Sequence, residues 1–135
     1  MRDLTIFSTR MIVGLLAVIF AAQSALAQDK PSACVAELQK EYGTTAGLRA
    51  DCPTKSDCTF QAPTGNASAR ALIETIAKRA ESCFTGAGLT VTKEDTLALG
   101  TTRLFDGDGE AKCAVLTSTP NGSPPEGVRA VCQPK

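Results

Sequence analysis

Six cysteines, all downstream of a secretion-type leader, constrain this chain more than any other feature. Arg2 and Arg10 flank a short basic segment, and Met11 to Ala22 is an almost unbroken apolar run. Ala25-Leu26-Ala27 then supplies the small-x-small pattern read by signal peptidase, which predicts a cleavable signal peptide over 1–27 and Gln28 as the new N-terminus. The apolar run is roughly a dozen residues, against the ~20 a helix needs to cross a bilayer, so no membrane insertion is expected after cleavage. Pro31-Ser32-Ala33-Cys34 has the look of a lipoprotein site, but the cysteine lies well past the apolar run and Pro31 takes the place of the usual leucine. The chain is therefore expected to be exported, periplasmic or extracellular, where an even set of cysteines forms disulfides.

Residues 28–135 are enough for one small domain and too few for two. Its core is expected to be thin. The aromatics are Tyr42, Phe60, Phe84 and Phe105, and the rest of the apolar share leans on alanine, which offers little area at about 25 cal/mol per Å². Disulfides compensate by restricting the unfolded chain, typically by about 2–4 kcal/mol each.

Strand alternation suggests which cysteines pair. Leu48, Ala50 and Cys52 alternate with polar residues, as do Cys58, Phe60 and Ala62 after the Pro53–Asp57 stretch. An antiparallel hairpin with Cys52 opposite Cys58 puts every apolar residue on one face, and a one-residue slip destroys that agreement. The segments 110–118 and 127–133 flank a proline-rich loop at 119–126, and folding about its centre sets Cys113 opposite Cys132, Val115 opposite Ala130 and Thr117 opposite Val128. Two local bonds leave Cys34 and Cys83.

Those last two lie on predicted helices. Gln28 to Tyr42 has Val35, Leu38 and Tyr42 at helical spacing, with Pro31 suited to the first turn and Gly43 to the stop. Asn66 to Phe84 is the strongest helix, capped by Asn66 or Ser68. Leu72, Ile73, Ile76, Ala77, Ala80, Cys83 and Phe84 form its apolar stripe. Leu89–Thr92 and Thr96–Phe105 read as strands, with a helical turn at Thr92–Asp95 as the alternative, and Asp106-Gly107-Asp108-Gly109 as a tight turn. The expected fold class is α+β: two helices on a small antiparallel sheet, stapled by disulfides.

The composition excludes several functions. There is no histidine, hence neither the commonest general base nor the commonest zinc ligand. The mature chain carries one net negative charge and no basic stripe, so no nucleic-acid partner is expected. No Gly-x-Ser-x-Gly elbow or Ser-x-x-Lys box occurs. Cys52 and Cys58 have five residues between them, not the two of a redox pair. Asp106, Asp108 and Glu110 open with the spacing of a calcium loop, but Ala111 and Thr117 stand where that loop needs Gly and Glu. With Glu94 and Asp95 they are also the acids from which a carboxylate-based hydrolase site would be drawn. No catalytic residue, metal ligand or cofactor is expected.

The loops are more suggestive. Cys52-Pro53-Thr54-Lys55-Ser56-Asp57-Cys58 resembles a shortened Bowman–Birk inhibitor loop, in which a basic residue precedes Ser between two cysteines; the family's Pro-Pro after Ser is missing, and the likeness ends at Cys58. It implies serine-protease inhibition through Lys55. The 119–126 loop, with Pro120, Asn121, Pro124 and Pro125, is stiffened for binding a partner. Asn66 and Asn121 each begin a glycosylation sequon, relevant only in a eukaryotic source. The leading expectation is a non-catalytic exported binding or accessory protein that recognises a macromolecule, a protein in the first instance, through Lys55, Ser56 and the 119–126 residues. Inhibition through Lys55 is the second reading, and an ion-binding or hydrolytic site at 106–110 the third.

Overall fold

A computed structural model describes residues 30–122 and 124–135; the predicted leader, Gln28 and Asp29 lie outside them. Two hairpin registers organise the rest. Strands β1 (Arg49–Thr54) and β2 (Asp57–Gln61) pair Ala50 with Phe60, and the Cys52–Cys58 disulfide closes their tip. The pairing shifts between Asp51 and Thr54, where Pro53 has no N–H to give the ladder. Strands β5 (Ala111–Ser118) and β6 (Gly127–Pro134) pair Cys113 with Cys132, Val115 with Ala130 and Thr117 with Val128, the expected register throughout. Cys113 and Cys132 are bonded.

Helices α1 (Lys30–Tyr42) and α2 (Ala67–Gly86) are joined by the Cys34–Cys83 disulfide. The Asn66 side-chain oxygen accepts from the Ala69 N–H at 3.0 Å and so caps α2. The other end closes in a Schellman turn. Leu89 N–H reaches the Phe84 carbonyl and Gly88 N–H the Thr85 carbonyl, with Gly88 at φ +93°, a backbone value that favours glycine.

Between Gly88 and Asp106 the structure corrects the expected elements. There are two strands, β3 (Thr90–Leu97) and β4 (Gly100–Asp106), which turn at Ala98-Leu99. No helical turn forms at Thr92–Asp95; these residues continue β3, with a bulge between Val91 and Lys93. Gly100 suits the turn exit because a Cβ there would strike the Thr117 carbonyl oxygen.

All six strands form one antiparallel sheet in the order β1-β2-β6-β5-β4-β3. The chain leaves β2 through α2, crosses to the far edge, and returns strand by strand until β6 settles against β2. The class is α+β, but the sheet outweighs the helices and is not small. Both helices cover one face of it. Their Val35, Leu38, Ile73, Ile76 and Phe84 share the core with Phe60, Phe105, Val115, Val128 and Ala130. Phe84 and Phe105 rings lie 5.5 Å apart and tilted, a favourable arrangement. No helix among the described residues is long and apolar enough to cross a membrane.

Candidate binding face

Alternation that sends every second side chain to the core sends the others to the opposite face, on which neither described helix packs. The pairing register lays this outer face out in rows. Leu104 faces Ala114 and Ala114 faces Val131, an aliphatic row that ends at Asp57. In the next row Thr102 faces Leu116, Leu116 faces Arg129, and Arg129 faces Thr59. In the third, Leu97, Gly100, Ser118, Gly127 and Gln61 follow one another across the sheet.

That third row makes a cleft for a simple reason. Its three central residues have almost no side chain, while Leu97 stands at one end and Gln61 at the other. The resulting cavity is about 380 Å³, walled by Leu97, Leu99 and Leu116 on the aliphatic side and by Gln61, Thr59 and Arg129 on the polar side. A Cβ at Gly127 would meet the Phe60 carbonyl oxygen at 3.6 Å and Gln61 Cγ and Ser118 Cβ at 3.7 Å, ordinary contact distances, so glycine is not a steric necessity there.

The surroundings of the cleft point the same way. The large hydrophobic side chains exposed among the described residues are Val91, Leu97, Leu99 and Leu104, all on the β3–β4 hairpin. Leu97 and Leu99, both lining the cleft, are 73% and 67% exposed. A second cleft, about 440 Å³, opens farther along the face beside Thr92, Leu104, Lys112, Val131 and Gln133.

Arg129, the cation lining the cleft, is already paired. Arg129 donates from Nε and Nη2 to the two oxygens of Asp57 at 2.9 and 2.8 Å, a two-pronged bond tying β6 to β2. These hydrogen bonds hold the Asp57 carboxyl below the usual aspartate range, against a smaller opposing effect of burial.

The 119–126 loop borders the cleft. Thr119 N–H donates to the Leu99 carbonyl at 2.8 Å, and Glu126 N–H to the Ser118 carbonyl at 2.7 Å. Arg70 of α2 reaches over and donates from Nη2 to the carbonyls of Gly122 and Pro124 at 3.1 and 2.6 Å. Asn121 donates to the Glu126 carboxylate at 3.1 Å. The expected contact residues in this loop therefore divide. Pro120 and Asn121 are exposed, whereas Pro124 is turned toward Arg70 and Pro125 lines a groove beside α2 with Glu74, Lys78 and Glu81.

Lys55 and Ser56 lie elsewhere, at the turn between β1 and β2. Since the 119–126 loop joins β6 at Gly127, opposite Gln61, the length of β2 separates the two regions, about 17 Å at ~3.4 Å per residue. The structure does not bring them together. Lys55 is exposed, but it occupies a tight turn rather than extended chain, and the Ser56 carbonyl accepts from Cys132 N–H at 2.8 Å.

Of the candidate acidic residues, Asp108 and Glu110 line one groove with Pro31 and Leu89, and the others are held apart in ion pairs. Asp106 is bonded to Lys135 Nζ at 2.6 Å and accepts from Gly107 N–H, and both interactions, Lys135 first, lower its pKa. Glu94 pairs with Arg103 at 3.3 Å and Asp95 with Lys93 at 3.6 Å. Among the described residues no three His, Cys, Asp or Glu side chains are grouped to hold a metal ion, and no polar or charged residue is fully buried.

Sequence reasoning missed the outer cleft. Its signal was present in the small residues Gly100, Ser118 and Gly127, but only the strand order shows that they adjoin. No protein-family model matches the chain, and no curated protein or solved structure matches it either.

Proposed function

We propose that this chain is an exported, non-catalytic binding protein that holds a protein partner at the outer-face cleft and the adjoining Pro120–Asn121 rim. The observation that carries the reading is the gathering of the exposed leucines on one hairpin, where two of them wall a cavity floored by Gly100, Ser118 and Gly127. Such a wall suits an aliphatic or aromatic side chain of the partner, with Gln61 and the threonines as the polar rim. The secretion-type leader and the three disulfides support the exported part of the reading. No comparable feature favours the inhibitor reading at Lys55 or an ion site at 106–110.

The test separates cleft from loop. Gly127→Val fills the floor and Leu99→Asp charges the wall, while Pro120→Ala with Asn121→Ala alters the rim. Immobilised protein is exposed to the fluid into which it is exported, and the retained partner is quantified. Both cleft variants are expected to lose the partner while keeping their melting temperature, and the rim variant to weaken retention. A partner retained equally by all of them would overturn the proposed site.

A further inference from the structure

The outermost strand β3 is exposed along its whole length, with one edge unpaired among the described residues. A free edge offers unmet N–H and C=O groups to any strand that can lie beside it. What distinguishes this one is its sequence. From Val91 to Leu97 it reads apolar, Thr, cation, Glu, anion, Thr, apolar: Val91-Thr92-Lys93-Glu94-Asp95-Thr96-Leu97. Read in the reverse direction the order is the same except that cation and anion exchange places, so in an antiparallel self-pairing each of those two charges falls opposite its complement.

We infer that β3 is the contact of a symmetric dimer, pairing antiparallel with β3 of a second copy about a two-fold axis at Glu94 and joining two six-stranded sheets edge to edge. A two-fold between antiparallel strands must pass through a residue facing its own copy. Centred on Lys93 or Asp95, the axis opposes like charges and leaves the neighbouring charges unmatched. Centred on Glu94, it sets Lys93 against Asp95 of the second copy, and Asp95 against Lys93, on the same face. Opposite charges directly across a strand pair are favourable, like charges unfavourable.

The remaining like pair, Glu94 with its copy, is partly offset. Arg103 donates to Glu94 at 3.3 Å and to Glu81 at 2.9 Å, so each Glu94 comes to the axis sharing a guanidinium with Glu81. The bulge between Val91 and Lys93 limits the regular pairing about the axis to Lys93–Asp95, with Thr96 and Leu97 meeting the bulged Val91-Thr92 stretch of the second copy. The bond between Lys93 and Asp95 within one chain, both more than half exposed, contributes little and is readily exchanged for the pair across the axis.

The assembly closes at two. The other edge, β1, is blunted by Pro53, by the register break between Asp51 and Thr54, and by the disulfide at its tip. It offers no matching strand from which a chain of copies would grow. This inference concerns the β3 edge and does not depend on the outer-face cleft.

Charge reversal tests it with folding controlled. Sedimentation equilibrium on the disulfide-intact protein is expected to show a monomer–dimer equilibrium in the micromolar range that weakens with salt. Asp95→Lys sets lysine against lysine, and Lys93→Asp sets acid against acid. Each is expected to weaken the dimer about tenfold or more while leaving circular dichroism unchanged. Mixing the two single variants restores association, because each strand then finds its complement, and the double variant dimerises alone. A wild-type protein that stays monomeric, single reversals without effect, or a mixture that fails to associate would each overturn the inference.

Discussion

Cys113 and Cys132 stand directly opposite each other on β5 and β6, their Cα atoms 4.0 Å apart, and their bond joins the two central strands of the sheet. It is one of three bonds closing chain segments of very different length: 49 residues for Cys34–Cys83, 19 for Cys113–Cys132 and 6 for Cys52–Cys58. In the chain-entropy description their removal costs about 4, 3 and 2 kcal/mol respectively. Paired Cys→Ala variants are expected to lower the denaturant midpoint in that order, read by urea unfolding. A Cys52–Cys58 variant less stable than the Cys34–Cys83 variant would contradict the ranking.

Arg70 holds the 119–126 loop through two carbonyls while belonging to α2. Arg70→Ala is expected to free the loop far more than it destabilises the fold. Hydrogen exchange and limited proteolysis should rise between Thr119 and Gly122, with a global loss of no more than about 2 kcal/mol. Unchanged exchange in that loop would mean that the clasp is not what orders it.

Asp57 is held ionised by Arg129, which makes a pH prediction with a definite sign. Its folded pKa lies below the unfolded value, so its contribution is present above about pH 4 and is lost as pH falls further, through the folded pKa. The arginine is half exposed, so the contribution is of order 0.5–1 kcal/mol. Asp57→Asn is expected to lower the melting temperature at pH 7 and to converge on wild type near pH 2–3. A constant offset from neutral to acid pH would assign the effect to packing instead.

Asp106 is engaged by Lys135 and by the Gly107 N–H, and among the described residues no three acidic side chains are grouped at the 106–110 turn to hold calcium. Millimolar calcium is expected to leave the melting temperature unchanged, in wild type and in Asp108→Asn alike. A calcium-dependent rise abolished by Asp108→Asn would reverse that reading.

The parts of the fold legible in the sequence were those set by local alternation. Ala50 opposite Phe60, and Cys113 opposite Cys132, follow from side chains that must share one face. The last cysteine pair then followed by elimination, and Asn66 was readable as a cap because its side chain competes well for backbone N–H groups. The β3–β4 turn was not readable. Ala98-Leu99 has none of the usual turn residues, and the charged run Lys93-Glu94-Asp95 suggests a break where the chain continues as edge strand. The outer cleft depends on β6 lying between β2 and β5, a pairing with Asp57–Gln61 across some 70 residues that no short window of sequence contains. Lys55 and Pro120 were grouped as loop residues, and only the strand directions put them at opposite ends.

The most direct test of the binding face is site-specific photo-crosslinking in the exporting cell. A photoreactive residue is placed at Leu99 or Leu116 on the cleft side, and at Glu37 or Thr75 on the exposed sides of the helices. The account predicts an adduct with a protein other than a second copy from positions 99 and 116, and none from 37 and 75. Adducts from the helix positions alone, or from no position, would contradict it.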